Sequence, residues 1–115
     1  MKEVNWQAMN RRWPFWSYGE KMVKIEWSWP ALSDLQAAGE YIAQDNRQAA
    51  VRMAKRVREA VDYIRNHPNI GRPGRLANTR ELVVSGTPFI VVYWLQQGSI
   101  QILRVLHHAQ RWPQQ

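Results

Sequence analysis

Seven consecutive residues, Phe89-Ile-Val-Val-Tyr-Trp-Leu95, are apolar on both alternating faces. Phe89, Val91, Tyr93 and Leu95 would point one way from a strand, Ile90, Val92 and Trp94 the other. β-Branched and aromatic residues suit a pleated, packed surface, and the run is far too short to cross a membrane as a helix. Such a strand belongs at the centre of a sheet, covered on at least one side by helices. Two further strand-like runs flank it, Arg80–Val84 and Ile100–Leu106. The gaps between the three, Ser85-Gly-Thr-Pro88 and Gln96-Gln-Gly-Ser99, are short and each carries a Gly able to take positive φ. The sequence therefore predicts two consecutive antiparallel hairpins, a three-stranded meander at the C-terminal end.

Upstream, Val23-Lys-Ile-Glu-Trp27 alternates apolar and charged residues, the pattern of a half-buried strand. Pro30 is preset for a first helical turn, and Ala31, Leu35, Ala38 and Ile42 then form one apolar stripe of a helix ending near Gln44. Gly39 interrupts that helix at a cost, which close approach of a neighbouring helix would offset. Asp45-Asn46 supplies a break and an N-cap. The second helix runs to about Asn66, with Ala50, Met53, Val57, Ala60, Val61 and Ile64 inward and Arg52, Lys55, Arg56 and Glu59 outside that stripe. His67-Pro68 stops it, and Asn69–Arg75 reads as an irregular basic loop. The expected fold is α+β: an N-terminal strand, then an antiparallel helical hairpin packed on a mainly antiparallel sheet. Residues 22–115 read as one domain. Residues 1–21 read as an extension that packs little, with Trp6, Trp13, Trp16, Phe15 and Tyr18 crowded into a polar segment of no clear period.

Arg47–Arg80 carries nine basic residues against Glu59 and Asp62, so this segment accounts for the whole net charge of +7. A localised basic field attracts nucleic acid, a ribonucleoprotein surface or an acidic protein. With no cysteine, neither a disulfide nor a thiolate metal site is available. The N-terminus has no continuous apolar stretch of the secretory kind, so a cytoplasmic protein without membrane contact is expected.

Gly71-Arg72-Pro73-Gly74-Arg75 could offer backbone N–H groups and two guanidinium groups to phosphates, or only shape the crossing from helix to sheet. It lacks the spacing and Lys-Ser/Thr ending of a P-loop. Arg104 interrupts the alternating set Ile100, Ile102, Leu106, so its guanidinium must be paired, snorkelling or exposed in a concave site. His107 and His108 end that strand, with Arg111 and Trp112 close behind. Histidine can move protons near neutral pH and arginine can stabilise a phosphorane-like charge. Adjacent strand residues face opposite ways, so both histidines can line one pocket only if the strand has ended. Two adjacent histidines with no third ligand at useful spacing argue against a metal site, and no cofactor is expected.

The order strand–helix–helix–basic loop–three strands resembles the RelE/ParE superfamily of bacterial toxins. So do the phrases Asn69-Ile-Gly-Arg72, Thr79–Val84, Pro88–Tyr93 and Ile102–His107. The likeness spans about Val23 to Pro113. It implies a type II toxin held inactive by a cognate antitoxin, in an oligomer with it, and arresting growth when released. The superfamily divides into ribosome-dependent ribonucleases that cut mRNA and inhibitors of DNA gyrase. Where the ribonuclease branch tends to carry lysines this chain has Glu81 and Val83, and where that branch tends to carry arginine it has Ile90. The resemblance thus leans toward gyrase inhibition, with a mRNA endoribonuclease as the alternative. On the ribonuclease reading His107 and Arg104 would be catalytic. On either, Arg72, Arg75, Arg80, His108 and Arg111 are the candidate target-binding residues.

Overall fold

A computed structural model of the chain describes residues 23–113. The expected extension, residues 1–21, and the boundary at Met22 lie outside the described residues. Strand β1 (Lys24–Trp27) leads into helix α1 (Trp29–Ala43), followed by helix α2 (Arg47–Asn66). A two-residue strand β2 (Arg72–Pro73) precedes the meander β3 (Thr79–Val83), β4 (Phe89–Gln96) and β5 (Ser99–His107). The five strands form one sheet in the order β1-β5-β4-β3-β2. All pairs are antiparallel except β1 with β5, because the helical hairpin carries the chain back so that β1 runs alongside β5.

The α+β fold with its helical hairpin on one sheet face is as the sequence predicts, and β4 is the central strand. Phe89, Val91 and Tyr93 pack with Val57, Val61 and Ile64 of α2 and with Leu35, Ala38 and Ile42 of α1. On the opposite face Ile90, Val92 and Leu106 form a smaller cluster closed by Leu103 and Trp112. Gly86 and Gly98 take positive φ in the two hairpin turns (77° and 70°), the conformation their placement implied. Asn46 caps α2, its Oδ1 accepting the Ala49 N–H at 3.0 Å.

Three local expectations need correcting. Arg72–Pro73 is not irregular: it pairs with Arg80–Glu81 of β3 as a short edge strand. Ile100, Ile102, Arg104 and Leu106 do not share a face. The β4–β5 register slips between Val92 and Tyr93, where Val92 opposes Arg104 but Tyr93 opposes Ile102. The extra residue, Leu103, is a β-bulge that reverses the alternation. Thus Ile100 and Ile102 join the helix-side core, whereas Leu106 joins the other cluster. Gly39, finally, is not where another helix comes close: a Cβ built there meets nothing within 4 Å.

Candidate functional site

The sheet face turned away from the helices gathers most of the candidate residues. Cross-strand neighbours share a face, so Glu81, Val92 and Arg104 form a row across β3, β4 and β5. Glu81 is buried, its side chain 1% exposed, yet it is an anion among partners. Arg75 donates to it from its backbone N–H at 3.0 Å and from Nη2 at 3.1 Å, and Arg72 donates from Nη2 at 3.2 Å. Burial opposes ionisation of Glu81, but these donors and the Arg75 charge outweigh it and hold the carboxyl below the usual glutamate range. The basic loop thus turns both of its arginines toward a carboxylate of this chain.

At the other end of the row Arg104 makes a two-pronged pair with Asp34 of α1, from Nε at 2.7 Å and Nη2 at 2.9 Å. That pairing raises the affinity of the guanidinium for its proton, against the desolvation that opposes it. The second Asp34 role is structural. Its Oδ2 also accepts the Val105 N–H at 2.9 Å, on the stretch of β5 beyond its last pairing with β1 at Ile102. The Trp112 ring lies under the Arg104 guanidinium at 5.3 Å, and Arg75 donates to the Trp112 carbonyl at 3.1 Å. Trp112 thereby joins the two ion-paired groups and closes the small apolar cluster. Its buried Nε1–H has no acceptor among the described residues.

The remaining candidates lie elsewhere. Arg80 donates to the Asn69 and Gly71 carbonyls, at 3.2 and 2.7 Å, and so braces the loop after α2. Tyr93 braces the same loop: its buried hydroxyl donates to the Pro68 carbonyl at 2.8 Å and accepts the Gly71 N–H at 2.9 Å. Burial raises the affinity of that hydroxyl for its proton, against the Gly71 hydrogen bond. A Cβ on Gly71 would stand 2.8 Å from the tyrosine oxygen, so the close approach requires glycine. His107 opposes Phe89 and meets its ring edge-on at 5.6 Å, which puts it on the helix side of β5, opposite Arg104. Its Nδ1 accepts the Ala109 N–H at 3.1 Å. The strand ends there, so His108 can turn back and stack on His107 at 4.8 Å. Both histidines and Arg111 are exposed.

The structure therefore joins Arg72, Arg75 and Arg104 through Glu81, Asp34 and Trp112, and groups His107 with His108. It separates His107 from Arg104. Asp34, Trp112 and Tyr93 are the contributors that sequence reasoning missed as partners. Asp34 lies 70 residues from Arg104, and only its position on the flank of an apolar stripe hinted at a reach toward the sheet. Among the described residues no group of three His, Asp or Glu side chains could hold a metal ion, and no helix is long and apolar enough to cross a membrane.

Comparison with known proteins bears on what such a sheet belongs to. A family model described as "ParE toxin of type II toxin-antitoxin system, parDE" matches residues 25–112. The Sinorhizobium fredii protein named "Putative toxin Y4kP" is 42% identical over 91 residues, covering 79% of this chain and 94% of that protein. Toxin RelE2 of Caulobacter vibrioides is 40% identical over 88 residues, covering 76% of this chain and 98% of the toxin. A chain of the solved structure titled "Chromosomal ParDE TA system from P. aeruginosa" superposes with a TM-score of 0.69 at 24% identity, over 76% of this chain and 98% of that one, which bears on the fold. By family match, by relatives of about its own domain length and by the sheet and hairpin described above, this chain belongs to the ParE toxin family within the RelE/ParE superfamily, the toxins of type II toxin–antitoxin systems.

Proposed function

We propose that this toxin arrests growth by binding and inhibiting DNA gyrase, in the cytoplasm, and that a cognate antitoxin silences it by forming an oligomer with it. The supporting observation is the state of its arginines. A ribonuclease needs a proton-transfer group and a cation facing the same scissile phosphate. Here Arg104 is engaged by Asp34, Arg72 and Arg75 by Glu81, and His107 stands on the opposite side of β5 from Arg104. The exposed candidates outside these ion pairs, His107, His108 and Arg111, suit contact with a partner surface better than chemistry on a phosphodiester.

The second reading, ribosome-dependent mRNA cleavage, draws on that same exposed C-terminal group and on the basic α2. Purified toxin assayed on gyrase supercoiling and, separately, on mRNA bound to ribosomes separates the two. The expected result is inhibited supercoiling with intact mRNA, and in cells filamentation with DNA damage. Ribosome-dependent cuts with no effect on gyrase would reverse the choice. Within this reading His107→Ala acts only through lost contact area and Arg111→Glu does more harm. For a ribonuclease, His107→Ala would instead slow cleavage about 10²–10⁴-fold.

A further inference from the structure

The first turns of α2 carry charge that the rest of the molecule does not answer. Arg47, Arg52, Lys55, Arg56 and Arg58 are all exposed, and residues 47–58 contain no carboxylate. Asp45 before this stretch and Glu59 and Asp62 after it bound the patch. None of these cations forms an ion pair among the described residues, whereas Arg72, Arg75 and Arg104 are each held by a carboxylate. Arg56 donates to the Ser85 carbonyl at 2.9 Å, which fixes its guanidinium in place without neutralising it. Arg47 opens the helix, whose first turn has no acid. A cation there is repelled by the positive end of the helix dipole, so the fold gains nothing from its charge.

Successive helical residues turn by about 100°, which assigns each cation to a side of α2. Met53, Val57, Val61 and Ile64 are buried and define the inner side. Around the opposite side the cations spread over an arc of roughly 180°. Arg47 and Arg58 stand on one flank, Arg52 and Arg56 on the other, and Gln48 and Lys55 at the crest between them. Cations on both flanks suit a ligand that carries negative charge on both sides of the helix, and duplex DNA has that form. Its major groove, about 12 Å wide, admits a helix ~10–12 Å in diameter, with a phosphate backbone along each edge. The crest residues then face the base edges, where both can donate hydrogen bonds. Duplex RNA does not fit, because its A-form major groove is too narrow for side chains to read. An acidic protein fits less well too. Protein interfaces centre on apolar and aromatic groups, and the one large apolar side chain on this arc is Val51, 68% exposed.

We infer that the solvent face of α2 formed by Arg47, Arg52, Lys55, Arg56 and Arg58 binds duplex DNA in its major groove, mainly through the phosphates and with little sequence preference. This goes beyond the target proposed above, because the grip on DNA needs neither gyrase nor a ribosome. The test titrates the full chain into a fluorescently labelled DNA duplex of random sequence and follows anisotropy at several salt concentrations. The logarithm of the association constant should fall against that of salt with a slope of about −3 to −4.5, ~0.9 for each phosphate neutralised. Arg52→Glu with Arg58→Glu, one from each flank, should melt like the parent, weaken binding by about tenfold or more and flatten the slope by about 2. Lys24→Glu, the same change of sign on β1, should leave affinity within about twofold. Arg47→Glu should weaken DNA binding yet melt no lower than the parent, since an acid suits that end of the helix. A cation kept only for the fold would not move those two readings in opposite directions. No binding by the parent at low salt would overturn the inference, as would a folded double variant that binds as tightly as the parent. Equal affinity for an RNA duplex would overturn the placement in the major groove. Polyglutamate that competes as well as DNA, charge for charge, would assign the face to an acidic protein and overturn the inference too.

Discussion

Glu81 shows how a single buried residue can tie a basic loop to the sheet. Removing one partner of a buried charge pair is destabilising because the other partner loses its compensation. Here the two arginines are partly exposed, 58% and 40% at the side chain, so water recovers much of that loss. Glu81→Ala is accordingly expected to lower stability by about 2 kcal/mol, toward the lower end for such lesions, as read from a urea titration. The sign of its pH dependence follows from the lowered carboxyl affinity for protons. A carboxyl held below its unfolded value contributes stability that is fully present above that value and lost as pH falls through the folded one. The gap between parent and Glu81→Ala should therefore be widest above about pH 5 and narrow progressively below the ordinary glutamate value of 4.5. A gap that stays constant down to strongly acid pH would show that the ion pairs are not the source.

The element that most depends on such contacts is α1, whose N-terminal turn is fastened to β5 at the bulge. Ser28 is fully buried and serves twice: its Oγ accepts the Ala31 N–H at 2.9 Å as the helix N-cap and donates to the Leu103 carbonyl at 2.9 Å. Asp34, a turn and a half later, holds the Val105 N–H. β5 runs on past the end of β1, leaving backbone groups on that edge that no strand pairs, and the helix answers them. Ser28→Ala loses a cap and strands a partly buried carbonyl, so it should cost about 2 kcal/mol. Thermal melts read the loss, and growth arrest should fall only with the folded fraction. Loss of growth arrest in a variant that melts like the parent would instead make Ser28 part of the functional surface.

For the molecule as a whole, the helices cover one face of β4 and the C-terminal segment covers the other. Trp112 is the keystone of that second layer, in contact with the Ile90–Val92–Leu106 cluster and with Arg104 and held through its carbonyl by Arg75. Trp112→Ala should cost about 2–3 kcal/mol, less than a fully enclosed tryptophan because the ring is only partly buried. Trp112→Phe should be much milder, since the indole N–H already lacks an acceptor. The two variants compared by urea titration check this. Equal losses would mean that the indole's polar end, rather than its apolar area, holds the segment.

Periodicity and turn chemistry, which are local properties, were enough to place the central strand, both helices, the Asn46 cap and the two glycine turns. The order of those elements, with the phrases Asn69–Arg72, Thr79–Val84, Pro88–Tyr93 and Ile102–His107, carried the superfamily likeness that the comparisons bear out. Candidate residues were legible as residues: Arg72, Arg75, Arg104, His107 and His108 stand out by charge and position alone. Their partners were not. The bulge at Leu103 leaves no mark in a pattern of alternating aliphatics, yet it decides which way Arg104 and Leu106 point. Gly39 reads as a packing site whether or not anything packs there. Which carboxylate meets which guanidinium depends on chain segments up to 70 residues apart arriving at one face. Local sequence sets the period of each element, but the pairing of charges and the slip of one strand against another exist only once the sheet has closed.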